Sequence, residues 1–116
     1  MKRLFSILLI AVLILCLVAC RPAGKGKTLA FVQRFDAGKY EALLANGFTT
    51  AAEKLGYSVS WAAPTDATAT AQTILIQNLI QEGANGIAIY ANEATGLETV
   101  LKEAKDAGIP VITVGA

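Results

Sequence analysis

The chain has 116 residues, about enough for one ordinary domain, with a formal net charge of +1 and 54% hydrophobic residues. It contains no His and two Cys, so the commonest general base and zinc ligand is missing and thiol chemistry has little to draw on. From residue 20 onward 8 Lys and Arg stand against 9 Asp and Glu, a balance of −1, so no basic field exists to hold nucleic acid.

In chain order the first element is a leader. Met1-Lys2-Arg3 is a short positive start, and Leu4 to Val18 is nearly unbroken Leu, Ile, Val and Ala, the layout of a secretory signal. A spanning helix needs roughly 20 apolar residues to cross about 30 Å, and this run stops short. Leu17-Val18-Ala19-Cys20 resembles the lipobox of bacterial lipoproteins. That resemblance implies a signal peptide over residues 1–19, cleavage before Cys20, and a diacylglyceryl group on the Cys20 thiol. Residues 20–27 then form the lipidated Cys and a Gly- and Lys-containing tether. The alternative is an uncleaved anchor helix; under either reading the domain at 28–116 stays attached to the membrane and faces the periplasm or the cell exterior. Cys16 leaves with the signal and Cys20 carries lipid, so no thiol remains for a disulfide, a metal or a nucleophile.

The remainder alternates strand-like and helix-like segments. Thr28–Val32 is a short apolar run, as expected of a buried strand. Tyr40 to Leu55 switches to helical spacing, with Tyr40, Leu43, Leu44, Gly47, Ala51 and Leu55 on one face, and Gly56 ends it. Tyr57–Trp61 reads as a second strand. Asp66 or Thr68 can cap the next helix, which carries Ala71, Ile74, Leu75, Leu79 and Ile80 toward a core and stops at Gly83. Ile87–Tyr90 is a third strand. Thr95-Gly96-Leu97-Glu98 fits a capping box opening a third helix, whose stripe is Leu97, Val100, Leu101 and Ala104. Pro110–Val114 makes a fourth strand, with Pro at the position where its missing N–H costs least. Apolar strands joined by single amphipathic helices imply parallel strands with right-handed crossovers, an α/β, Rossmann-like open sheet.

Ligands of such sheets bind beyond the carboxyl ends of the strands. Gln33, Arg34 and Asp36 supply donors and acceptors there, Phe35 offers a flat apolar face, and Tyr40 opens the helix that follows. Polar groups beside an aromatic plane suit a sugar or another polyol. The same residues serve equally as a solvated loop, with Tyr40 stapled over the core. Asn92 and Glu93 follow the third strand, where Glu93 can also complement a helix N-terminus. Trp61 reads as packing at a strand end before it reads as a ligand platform. No G-x-G-x-x-G follows the first strand and no P-loop occurs, and without His no Ser-His-Asp set can form. The carboxylates of Glu82, Glu93, Glu98 and Glu103 fall on helix surfaces and read as solvation. We therefore expect no enzyme, no cofactor and no metal.

The stretches LAFVQRFDAGKYEALLANGFTTAAEKLGY, APTDATATAQTILIQNLIQEGANGIAIYA and LKEAKDAGIPVITVG, in that order and spacing, resemble the sugar-type periplasmic binding proteins of ABC importers. This group includes ribose-, rhamnose- and autoinducer-2-binding proteins. The resemblance runs from Leu29 to Ala116 and implies that the chain spells the first part of an N-terminal lobe of the type I fold. It implies a small carbohydrate-like ligand and an importer permease as partners, with the membrane contacted through the lipid. By position, Tyr40 matches an aromatic that packs on the sugar ring. Arg34 falls where the rhamnose- and autoinducer-2-binding branch carries a basic residue, and Asn92 and Glu93 lie in a loop bordering the cleft. The family's acidic residue after the fourth strand is here Gly115. The competing reading is a non-catalytic, flavodoxin-like envelope lipoprotein module that contacts another protein.

Overall fold

A computed structural model describes residues 26–35 and 38–115. The leader, the proposed lipidation site Cys20, the tether up to residue 25 and the candidate Asp36 lie outside the described residues. Seven elements follow one another: β1 (Thr28–Val32), α1 (Lys39–Lys54), β2 (Ser58–Ala62), α2 (Ala69–Glu82), β3 (Gly86–Ile89), α3 (Glu98–Asp106) and β4 (Val111–Thr113). All strand pairings are parallel and the order is β2-β1-β3-β4, so the Rossmann-like open sheet expected from the sequence is present. In register, Leu29 of β1 lies opposite Val59 of β2 on one side and Gly86 of β3 on the other.

The strand order decides which helix covers which face. The chain moves one way from β1 to β2 and the opposite way from β2 to β3 and from β3 to β4. Right-handed crossovers then set α1 on one face and α2 and α3 on the other. Alternation along β1 follows: Ala30 and Val32 join Ile76, Leu79, Ile87, Ile89, Val100 and Ala104 in the main core, while Phe31 points to the α1 face. There Phe31 stacks on Phe48 of α1, with ring centroids 5.2 Å apart. All four residues of β3 are buried, which is why its sequence is a continuous apolar run rather than an alternating one.

Two helical faces differ from the expectation. In α1 the stripe against the sheet is Leu44, Phe48 and Ala52, while Tyr40, Leu43 and Leu55 are 58%, 69% and 73% exposed. The Phe31–Phe48 stack sets the roll of the helix and turns the Tyr40–Leu43–Leu55 line outward. In α2 the buried stripe is Ala69, Gln72, Ile76 and Leu79; Ile74 is instead exposed. A glutamine inside the apolar stripe moved the apparent face by a fraction of a turn. Thr68 is the N-cap of α2, its hydroxyl accepting from the Ala71 amide at 3.2 Å. The capping box before α3 is half formed. Leu97 occupies the cap without a side-chain bond, and Glu98 Oε2 accepts from the Gly96 amide at 2.7 Å.

Candidate functional site

The sheet ladder runs past the strands and fixes where their carboxyl ends point. Gln33 donates its amide to Ala62 O, Tyr90 to Val32 O and Val114 to Ile89 O, at 2.8–2.9 Å. The residues that follow β1, β3 and β4 are thereby brought to one rim, as the open-sheet rule requires. An open depression of about 570 Å³ lies there, with Arg34, Tyr90, Asn92, Glu93, Glu98 and Gly115 among its walls. Leu97, Leu101 and Ile89 give it an apolar floor.

A closed circuit of hydrogen bonds builds the polar wall. The Gln72 side chain, 0% exposed, rises from α2 and donates through Nε2 to Gln33 O at 2.9 Å and to Tyr90 O at 2.8 Å. Its Oε1 accepts from the Asn92 amide at 2.9 Å. Asn92 Nδ2 then donates to Arg34 O at 2.6 Å, and Gln33 Nε2 donates to Glu41 O at 2.8 Å. Two buried atoms of this wall, Arg34 Nε and Asn92 Oδ1, have no hydrogen-bond partner in the protein. Orphaned polar atoms are uncommon in folded proteins, because each one costs about 1–3 kcal/mol of unrecovered hydration. Here one donor and one acceptor belong to two residues that line the same depression. The guanidinium of Arg34 lies over the Tyr90 ring, 5.1 Å from its centroid, which holds the cation against an apolar support.

Gly115 has φ of +76°, and a Cβ there would lie 2.7 Å from Tyr90 Cε2. The ring of Tyr90 therefore occupies the space a side chain at 115 would need, so an acidic residue at this position requires the ring under Arg34 to move.

Of the residues singled out from the sequence, Arg34, Asn92 and Glu93 come together in this depression. Glu93 also supports the fold, since its Oε1 accepts from the Ala69 amide at 2.9 Å and closes a free donor at the start of α2. Phe35 is half-buried and Tyr40 exposed, and neither lines the depression. Trp61, exposed on the edge strand β2, borders a separate recess of about 190 Å³ with Gln33 and Glu41. Sequence reasoning misses Tyr90 and Gln72 as site residues. The signals that could expose them are an aromatic at the last position of a strand and a glutamine in the middle of an apolar stripe. The exposed carboxyl of Glu98 is held below the ordinary glutamate value, first by its own main-chain amide and then by that of Gly96. Among the described residues no group of three His, Cys, Asp or Glu side chains is placed to hold a metal ion, and no helix is long and apolar enough to cross a membrane.

Residues 29–116 match the family model described as periplasmic binding protein domain. The chain belongs to that family. Solved relatives agree with it in sequence and in fold. An ABC transporter solute-binding protein from Clostridium phytofermentas, with bound L-rhamnose, is 33% identical with a TM-score of 0.73, covering 75% of this chain and 27% of its own. One from Burkholderia graminis, in complex with D-arabinose, is 30% identical with a TM-score of 0.71, covering 79% and 32%. LsrB from Clostridium saccharobutylicum, in complex with AI-2, is 28% identical with a TM-score of 0.70, covering 74% and 26%. The chain thus spans between a quarter and a third of the length of these relatives. Membership of a solute-binding family favours a ligand-binding role over the protein-contact module.

Proposed function

We propose that this chain supplies one wall of a sugar-binding cleft in a solute-binding lipoprotein that delivers its ligand to an ABC importer. The observation that carries this reading is that Arg34 and Asn92, each with one buried polar atom left without a protein partner, line a depression at the carboxyl rim of a parallel sheet. A sugar hydroxyl both accepts and donates, so it suits polar side chains of either kind on that wall, and the apolar floor at Leu97 and Leu101 suits the C–H face of the ring. The solved relatives with L-rhamnose and D-arabinose support the same substrate class. Arg34, Asn92 and Glu93 are the ligand contacts we assign on the cleft wall. Phe35, Asp36 and Tyr40, in the loop after β1 and at the start of α1, remain candidate contacts in this reading. The reading assigns no catalysis and needs no cofactor. In this reading the leader directs export, Cys20 carries the lipid that holds the protein on the outer side of a membrane, and an importer permease receives the ligand.

One open wall cannot remove most of a sugar's surface from water, which is what sugar affinity requires. The test therefore grafts residues 29–115 in place of the matching segment of the Clostridium phytofermentas relative and titrates L-rhamnose and D-arabinose by calorimetry. Heat of binding is expected, and Arg34→Ala should weaken it about ten- to hundredfold, the cost of losing charge-assisted hydrogen bonds. A folded graft that binds neither sugar, or that binds them equally well without Arg34, removes the reading.

A further inference from the structure

We infer that Gln72 is the positioning residue of the site: a side chain that touches no ligand and sets where Arg34 and Asn92 stand. The inference rests on the sugar-binding reading for its purpose, and on geometry alone for its substance. Gln72 lies on α2, remote in sequence from both loops, and is fully buried in a stripe otherwise made of Ala69, Ile76 and Leu79. An apolar residue would fill that space at lower risk, since a buried amide is costly unless every polar atom is matched. The three Gln72 bonds all go to main chain: Gln33 O just before Arg34, Tyr90 O of the residue whose ring carries the Arg34 cation, and the Asn92 amide. With the bond from Asn92 Nδ2 to Arg34 O the circuit closes, Gln72 to Gln33–Arg34 to Asn92 and back. Gln72 therefore ties the loop after β1 to the loop after β3, adding to the ladder bond from Tyr90 to Val32 O and the bond from Asn92 Nδ2 to Arg34 O.

Because its partners are main-chain groups, Gln72 governs the frame and leaves the choice of ligand to others. Its chemistry is also asymmetric in a way that can be probed. The site demands donors toward two carbonyl oxygens and an acceptor toward one amide. Glu at position 72 meets an acceptor and one donor when protonated, but when ionised it turns an anionic oxygen onto those carbonyls. Among the described residues, the charged side chains on the bonded loops and across the depression are Arg34, Glu93 and Glu98; Asp36, on the loop after β1, lies outside them. They are shared with the wild type, whose own pH response therefore serves as the reference.

The experiment uses the full chain, isotopically labelled, in mild detergent and without ligand. In the wild type, the Gln72 side-chain amide protons and the Asn92 amide should exchange slowly with solvent and keep their resonance positions between about pH 4 and pH 8, apart from small shifts that every variant shares. In Gln72→Glu, the Asn92, Tyr90 and Arg34 resonances should lie near wild-type positions at the acid end. They should depart as the pH rises, with a midpoint above the ordinary carboxylate range, because burial and the two carbonyls favour the protonated form. Gln72→Leu should show the displaced positions at every pH. A Gln72→Glu chain that follows the wild type throughout overturns the inference, as does one displaced equally at both ends of the range. So does a Gln72→Leu chain whose Asn92 and Arg34 resonances are unmoved. Because no sugar is present, these outcomes stand apart from the grafted titration: failure of that titration ends the sugar reading and leaves the circuit to this measurement.

Discussion

Tyr90 and Gly115 show how a single pair of residues shapes the rim. Gly115 sits at positive φ with its α-carbon against the Tyr90 ring, and that ring carries the Arg34 guanidinium. Gly115→Asp forces a non-glycine residue into a left-handed conformation and puts its Cβ into the ring, at a cost of about 1–3 kcal/mol in strain before any contact is lost. A thermal melt followed by circular dichroism should show the variant less stable than wild type. Removing the ring as well, in Tyr90→Ala with Gly115→Asp, should recover part of the loss, since the clash goes although the strain stays. Additive losses in the double variant would rule out the shared-space account. Sequence reasoning finds Arg34, Asn92 and Glu93 because they follow strands whose ends are visible as breaks in apolar runs. It overlooks Tyr90, which reads as the last residue of a strand. It also overlooks Gln72, whose carbonyl partners lie 39 and 18 residues away and leave no local trace.

At the scale of elements, position along the chain is easier to read than rotation about an axis. All seven elements stand where the change from apolar runs to helical spacing puts them, with ends within a residue or two, as end fraying allows. The faces of α1 and α2 are turned because periodicity reports an apolar stripe without saying which of two overlapping stripes meets the sheet. An aromatic stack decides it for α1 and a buried amide for α2. The start of α3 makes a separate prediction. Amides at Glu98 and Gly96 lower the Glu98 pKa, so its contribution is complete above the ordinary value of 4.5 and is lost as the pH falls through the lowered folded-state value. Hydrogen exchange at Gly96 and along the first turn of α3 should accelerate on acidification through that window. In Glu98→Gln the same amides should show no such step; an identical acid response in both proteins would remove Glu98 as its source.

For the molecule as a whole, the alternation of strands and helices declares a parallel sheet, but nothing local declares the order β2-β1-β3-β4, which reverses direction once. Parallel pairing brings the loops after the strands to one rim, and the reversal puts α1 alone on its face of the sheet. The proposed lipid attachment is tested at the other end of the chain. Cells fed labelled palmitate should incorporate it into the wild-type chain and fail to do so with Cys20→Ser, whose leader should also remain uncleaved. Incorporation that survives the substitution would move the lipid elsewhere and take the assigned location with it. The strand order has a further consequence in time. Leu29 is synthesised well before either of its neighbours, Val59 and Gly86. At about 5–20 residues per second, the second flank of β1 stays open for roughly three to eleven seconds after Leu29 has been added. The newborn polypeptide is thus kept slack and threadable by its own topology, a useful delay for a chain with the export leader proposed above.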